Sequence, residues 1–182
     1  MTEPSHHGTT PAAVDPWCEM AHGRLPAPLQ GRQLVVVFVS PVAEELAHLA
    51  GHLGYRVRLL EPDSPRVHGP LATLSTIGSD LGDGLGDDVD VVVTDHDRAE
   101  LGDVLAALLA APTRWLGVMG SPRHTAPHVA ALRERGVGEP DIARVHRPIG
   151  LDIGSHAPGE IAVSTLAGLI ADRNGRSGGF RG

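Results

Sequence analysis

Asp152 stands between Gly150 and Gly154 in an otherwise apolar stretch, since residues 148–159 read PIGLDIGSHAPG. A carboxylate is costly to bury unless it accepts hydrogen bonds, either from nearby backbone N–H groups or from a ligand. Anchoring its own loop and contacting a ligand both stay open for Asp152. The helix that follows is expected to start at Pro158 with Glu160 in its first turn. Ala157 falls at the cap position, where the missing side-chain acceptor forfeits about 1 kcal/mol.

A second constellation is Gly120, Ser121, Pro122 and Arg123, directly after an apolar run. Gly120 lets a backbone come close, Ser121 can cap the next helix and Pro122 suits its first position. Arg123 adds a charge that does not titrate. Together they suit an anionic group, and the plainer alternative is an ordinary capped strand-to-helix turn. His96 and Asp97 form a third candidate, as an acid–base pair or as a simple cap. Ser40 follows the first apolar run, and Glu61 lies about twenty residues beyond it, the interval at which dinucleotide-binding folds place an acid for a ribose hydroxyl. His48 with His52, and His124 with His128, are spaced four apart as zinc ligands on a helix can be, but neither pair has an evident third ligand. Pro127 interrupts the second pair. Both are read as solvated surface histidines.

These residues need a scaffold that brings strand ends together. Residues 34–39 are an unbroken, mostly β-branched run, as in a strand buried on both faces. Val42, Leu46, Leu49, Ala50 and Leu53 recur at helical spacing and Gly54 follows as a stop. Residues 56–60 form a second strand, completing a β-α-β unit of right-handed crossover. Glycines and aspartates blur residues 64–88, with one short strand near Leu74. Further strands are expected at 89–94 and 115–118, and helices at 99–110, after Ser121 up to Gly136, at 139–145 and at 161–171. The last is apolar almost all round, and its small residues Ala162, Ser164, Ala167, Gly168 and Ala171 suggest a homodimer contact. The pattern is a Rossmann-like, doubly wound α/β domain: a mostly parallel sheet with helices on both faces, ligands lying beyond the carboxyl ends of the strands. Three segments should meet there: 40–41, 95–98 and 120–123. The domain is placed at 32–174, between a flexible proline-rich tail at 1–31 and a disordered tail at 175–182.

Composition narrows the chemistry. Aromatic residues are 3% of the 182 while hydrophobic residues are 41%, so the core is aliphatic. The net charge is −7, and the scattered positive residues leave no stripe for nucleic acid. All fifteen basic residues are arginine, which excludes P-loop, Schiff-base and lysine-base mechanisms. Cys18 is the one cysteine, so no intrachain disulfide or cysteine-rich cluster can form. No run is long enough for a membrane span and the start lacks a signal-peptide core, so a cytoplasmic protein is expected.

Residues 117–123, GVMGSPR, followed by PIGLDIG at 148–154 and PGEIAVS at 158–164, resemble the C-terminal Rossmann-type domain of the XdhC/CoxI accessory proteins. The resemblance covers about residues 33–173. It implies a protein that assists maturation of a molybdenum hydroxylase such as xanthine or carbon monoxide dehydrogenase, handling molybdenum cofactor (molybdopterin). The chain looks like a stand-alone version of that domain, without the further N-terminal domain of many relatives. Family members usually carry Gly-Ala-Gly-His-Val after the first strand, where this chain has Phe38, Val39, Ser40, Pro41 and Val42. Glu61 matches the family's acid, but Asp63 replaces the arginine two places on. The family's Thr-His-Asp-His becomes Asp95, His96, Asp97 and Arg98. Pro122 replaces the first of two consecutive basic residues, and Arg123 retains the second.

Three functions remain compatible with these residues. The first is a non-catalytic accessory protein that binds a pterin-phosphate cofactor or nucleotide through Ser40, Glu61, His96, Asp97, Gly120, Ser121, Arg123, Gly150 and Asp152 and docks on a client enzyme. The second is an NAD(P)-dependent oxidoreductase; the lost glycines count against it, and against tight binding of NAD(P) or FAD in the first turn. The third is a non-catalytic scaffold for protein association.

Overall fold

The computed structural model describes residues 15–25, 31–76, 84–120 and 126–179. Two compact units are present, residues 1–30 and 31–182. In the first, α1 (Pro16–Ala21) forms within the segment read as a tail, and Pro16 opens it where a missing N–H is harmless. Arg24 closes back on Glu19 with hydrogen bonds of 2.6 and 2.8 Å. Cys18 is exposed.

The second unit is a sheet of six parallel strands: β1 (Gln33–Val37), β2 (Arg56–Leu60), β3 (Ser75–Thr76), β4 (Val89–Val93), β5 (Trp115–Val118) and β6 (Val145–His146). Their spatial order is β3-β2-β1-β4-β5-β6, the doubly wound order that reverses direction between β1 and β4. The helices are α2 (Pro41–His52), α3 (Leu101–Ala110), α4 (Pro127–Glu134), α5 (Glu139–Ile142) and α6 (Pro158–Arg173).

Strand alternation divides the aliphatic core between the two faces. Val35, Val37, Val91, Val93, Leu116 and Val118 pack under α3, α4 and α5 with Leu105, Leu108, Leu132 and Ile142. Leu34, Val36, Leu59 and Val92 pack under α2 and α6 with Leu46, Ala50, Leu166 and Leu169. Because both faces are covered, the strands read as continuous apolar runs rather than alternating ones. Among the described residues, no helix is long and apolar enough to cross a membrane.

Several boundaries differ from the sequence reading. β1 ends at Val37, two residues early, because Phe38 leaves the extended region at φ +70°. The expected helix at 139–145 divides into α5 and the two-residue edge strand β6. Pro127 does not interrupt a helix but starts one, as the first residue of α4. α6 buries Ala162, Ser164 and Ala171 within the subunit and carries an apolar residue on its outer side as well, Val163 at 51% exposed.

Candidate functional site

The sheet reverses between β1 and β4, so a crevice opens beyond their carboxyl ends. Ser40 sits there. Its hydroxyl accepts from the backbone N–H of Ala43 at 3.0 Å and donates to the Thr94 hydroxyl at 3.0 Å. Thr94 in turn lies 3.0 Å from the carbonyl oxygens of both Val37 and Phe38. The α2 N-terminus is therefore capped by its own serine, with Pro41 removing a further donor. In dinucleotide-binding folds those N–H groups face the pyrophosphate.

Phe38 keeps the left-handed backbone that glycine adopts readily, at a cost of about 1–2 kcal/mol for a residue with a Cβ. Its side chain is completely buried and joins the core with Leu60, Val93 and Leu101. The ring thus turns into the core, and the Arg98 guanidinium covers it, with Cζ 4.6 Å from the ring centroid. Arg98 also grips the Glu61 carboxylate, Nη2 to Oε1 at 2.8 Å and Nη1 to Oε2 at 3.1 Å. Glu61 further accepts from the backbone N–H groups of Val39 at 2.8 Å and Asp63 at 3.1 Å. The Glu61 side chain is 0% exposed and that of Arg98 8%. Burial pushes the Glu61 carboxyl up, but the bonds from Arg98 and the two backbone amides outweigh it and hold the group below the ordinary carboxylate range. Glu100 adds a contact to Arg98 at 3.2 Å. The acid expected to meet a ribose is held by the chain's own arginine. Sequence reasoning missed this pairing, although the replacement of the motif's last histidine by Arg98 was its visible signal.

His96 and Asp97 lie on the same turn. The imidazole Nε2 is 3.6 Å from Asp97 Oδ1, beyond hydrogen-bond range, and the Asp97 side chain is 86% exposed. Asp97 instead offers its backbone N–H to Asp95 Oδ1 at 3.0 Å, a local turn.

Gly120 lies at the carboxyl end of β5. A Cβ there would strike the Arg147 guanidinium, 2.9 Å from its Cζ, so the arginine rests on the bare glycine. Arg147 follows β6, and His128, the second residue of α4, is buried close to it. Burial, and then the neighbouring Arg147 charge, lower the His128 pKa and keep the imidazole neutral. The reading of His128 as a solvated surface histidine is corrected: it is 4% exposed, because Pro127 starts the helix and turns its second residue inward. Ser121, Pro122, Arg123 and His124 lie outside the described residues.

Gly150 is positioned by packing. A Cβ there would meet Ser164 Oγ at 2.5 Å and the backbone of Ser164 and Thr165 at 3.2 Å, while Gly168 is equally close to the Gly150 backbone. Ser164 clamps the loop, its hydroxyl donating to the Leu151 carbonyl at 2.6 Å and its carbonyl accepting from the Leu151 N–H at 3.2 Å. The small residues of α6 thus serve a contact inside the subunit. Asp152, one residue on, is exposed and makes no hydrogen bond within the described residues. At the start of α6, Glu160 accepts from the N–H groups of His156 and Ala157 at 3.2 and 3.4 Å, half of a capping box around the cap that Ala157 cannot supply.

At the opposite end of the sheet, buried Asp90 pairs with Arg114, which also reaches Asp172 on α6 at 2.8 Å. Burial pushes Asp90 above its ordinary value despite Arg114. An open cleft there is lined by Leu109, Arg114, Arg144 and His146. Its position at the amino ends of the strands removes it from the crevice where this topology binds ligands. His48 and His52 touch edge-on, 4.8 Å between centroids, and no group of three metal-ligating residues occurs among the described residues.

Residues 34–169 match the family described as the XdhC Rossmann domain. The chain is 31% identical over 157 residues to the uncharacterized protein YqeB of Escherichia coli (strain K12), a match covering 81% of this chain and 28% of that protein. A crystal structure of a xanthine dehydrogenase from Bacillus halodurans shares the fold, with a TM-score of 0.63 at 23% identity over 80% of this chain and 44% of that one. The chain therefore spans less than half the length of either protein.

Proposed function

Since the chain belongs to the XdhC family through its Rossmann domain, we propose that it is a cytoplasmic accessory protein in the maturation of a molybdenum hydroxylase, carrying a phosphate-bearing pterin cofactor as cargo and docking on the client enzyme. The observation that carries this reading is the family match across 34–169, which reaches all six strands of the sheet.

The geometry is consistent with an anionic cargo that is not a dinucleotide. At the first turn Ser40 caps α2 and Arg98 holds Glu61, so both groups that a Rossmann fold offers to a dinucleotide are engaged within the chain. These features argue against the oxidoreductase alternative.

The closed first turn gives some support to a second reading, a scaffold that associates with a client but carries nothing. One experiment tests the accessory role under either reading: a client molybdenum hydroxylase produced with and without this chain, its molybdenum content and activity compared. The accessory role requires both to rise with the chain present, and equal values would overturn it. Cargo bound to the isolated chain separates carrier from scaffold.

A further inference from the structure

The cleft at the amino ends of β5 and β6 carries chemistry that the accessory role does not use. Gly117 lacks the Cβ that would strike the Trp115 ring, so the indole lies along β5. His146 pairs with Gly117 across the ladder and stacks on that indole, 5.0 Å between centroids at an angle of 10°. The two rings make one flat wall, and buried Leu109 and Leu116 add apolar surface beside it. The cleft holds about 160 Å³. A cavity of roughly 150 Å³ admits a benzene ring.

No carboxylate lines this space; its permanent charges are Arg114 and Arg144. Arg144 donates through Nη1 to the Leu109 carbonyl at 3.2 Å and to Asp141 Oδ1 at 3.1 Å, which orients the guanidinium plane. Its Nε and Nη2 make no hydrogen bond within the described residues, and they form the edge that grips a carboxylate through two parallel bonds. The Asp141 contact is exposed on both sides, a weak kind of pair, so it leaves Arg144 available to a better-placed acid. Arg114 spends Nε on Asp90 and Nη1 on Asp172, and its Nη2 is buried with no partner. Buried donors nearly always have one. Spare donors beside a flat apolar wall fit a planar ring that bears a carboxylate.

We propose that this cleft binds a small aromatic carboxylate, its ring against Trp115 and His146 and its carboxylate on the Nε–Nη2 edge of Arg144. The site lies at the opposite end of the sheet from the crevice beyond β1 and β4, so it goes beyond the accessory reading and does not depend on it.

The test titrates the full chain, nitrogen-15 labelled, with benzoate while the indole N–H signals are followed. The chain has two tryptophans, so Trp17→Phe leaves one signal and assigns Trp115. Benzoate is expected to move the Trp115 signal saturably and to raise the melting temperature. Benzamide, the neutral analogue, should bind about tenfold more weakly or worse, and so should benzoate to Arg144→Gln, with Arg144→Lys recovering part of the loss. A Trp115 signal that stays fixed through millimolar benzoate would overturn the proposal, as would benzamide binding as tightly as benzoate; neither result needs a variant to fold. Unchanged benzoate affinity in a folded Arg144→Gln chain would overturn it equally.

Discussion

The Arg98 guanidinium closes on the Glu61 carboxylate through hydrogen bonds of 2.8 and 3.1 Å while lying 4.6 Å from the Phe38 ring centroid, so one side chain joins the ends of β1, β2 and β4. The acid that a doubly wound fold usually offers to a dinucleotide is thereby held within the chain. Stability and ligand choice are coupled at this point, and each can be measured.

Removing one partner of a buried ion pair leaves the other charge uncompensated, so Glu61→Gln and Arg98→Met should each destabilise the chain by about 3–5 kcal/mol in urea unfolding. The double variant should lose much less than the sum. Additive losses would mean that the two side chains do not act as a pair.

The same pair sets a pH dependence. The Glu61 carboxyl sits below its ordinary value of 4.5 in the folded state, so the unfolded chain binds its proton first as the solution is acidified. The stability it contributes is fully present above about pH 4.5 and is lost as pH falls through the lower folded value. His128 acts at higher pH: its folded pKa lies below the ordinary 6.5, so its contribution is present above that value and declines as pH falls beneath it. Urea unfolding from pH 7 to 5 should show a decline that flattens in His128→Phe, and an unchanged slope would contradict the burial of a neutral imidazole.

Within the signature segment, packing and chemistry separate cleanly. Gly150→Ala drives a Cβ into Ser164 at a residue with φ +86°, and should destabilise by about 2 kcal/mol or more. Asp152→Asn, on an exposed residue, should change stability by less than about 0.5 kcal/mol. Loss of client maturation in Asp152→Asn at unchanged melting temperature would assign that carboxylate to the cargo or the client.

Isothermal titration of the chain with NAD and FAD should give no low-micromolar binding, because Ser40 and Arg98 already occupy the donors and the acid such ligands use. Tight dinucleotide binding that disappears in Glu61→Ala would show that Arg98 yields its place.

The strands of the central sheet were legible because burial on both faces writes itself as runs such as 34–37 and 89–93, and α2 because its apolar residues repeat at helical spacing. β6 was not, since two residues carry no periodicity. Phe38 was read as a strand residue because nothing local reports a positive φ. The Arg98–Glu61 pair joins residues separated by 37 positions, and the burial of His128 is hidden in the sequence because a proline at 127 can equally break a helix or, as here, begin one. The lost glycines correctly marked the first turn as altered, but what replaced them is a tertiary contact invisible to local pattern.

The most direct test of the central claim is the cargo itself: molybdenum and pterin content of the chain purified from a host that makes molybdenum cofactor. The account requires about one cofactor per chain. A chain that retains no cofactor, yet binds NAD or FAD at low-micromolar concentration, would contradict it.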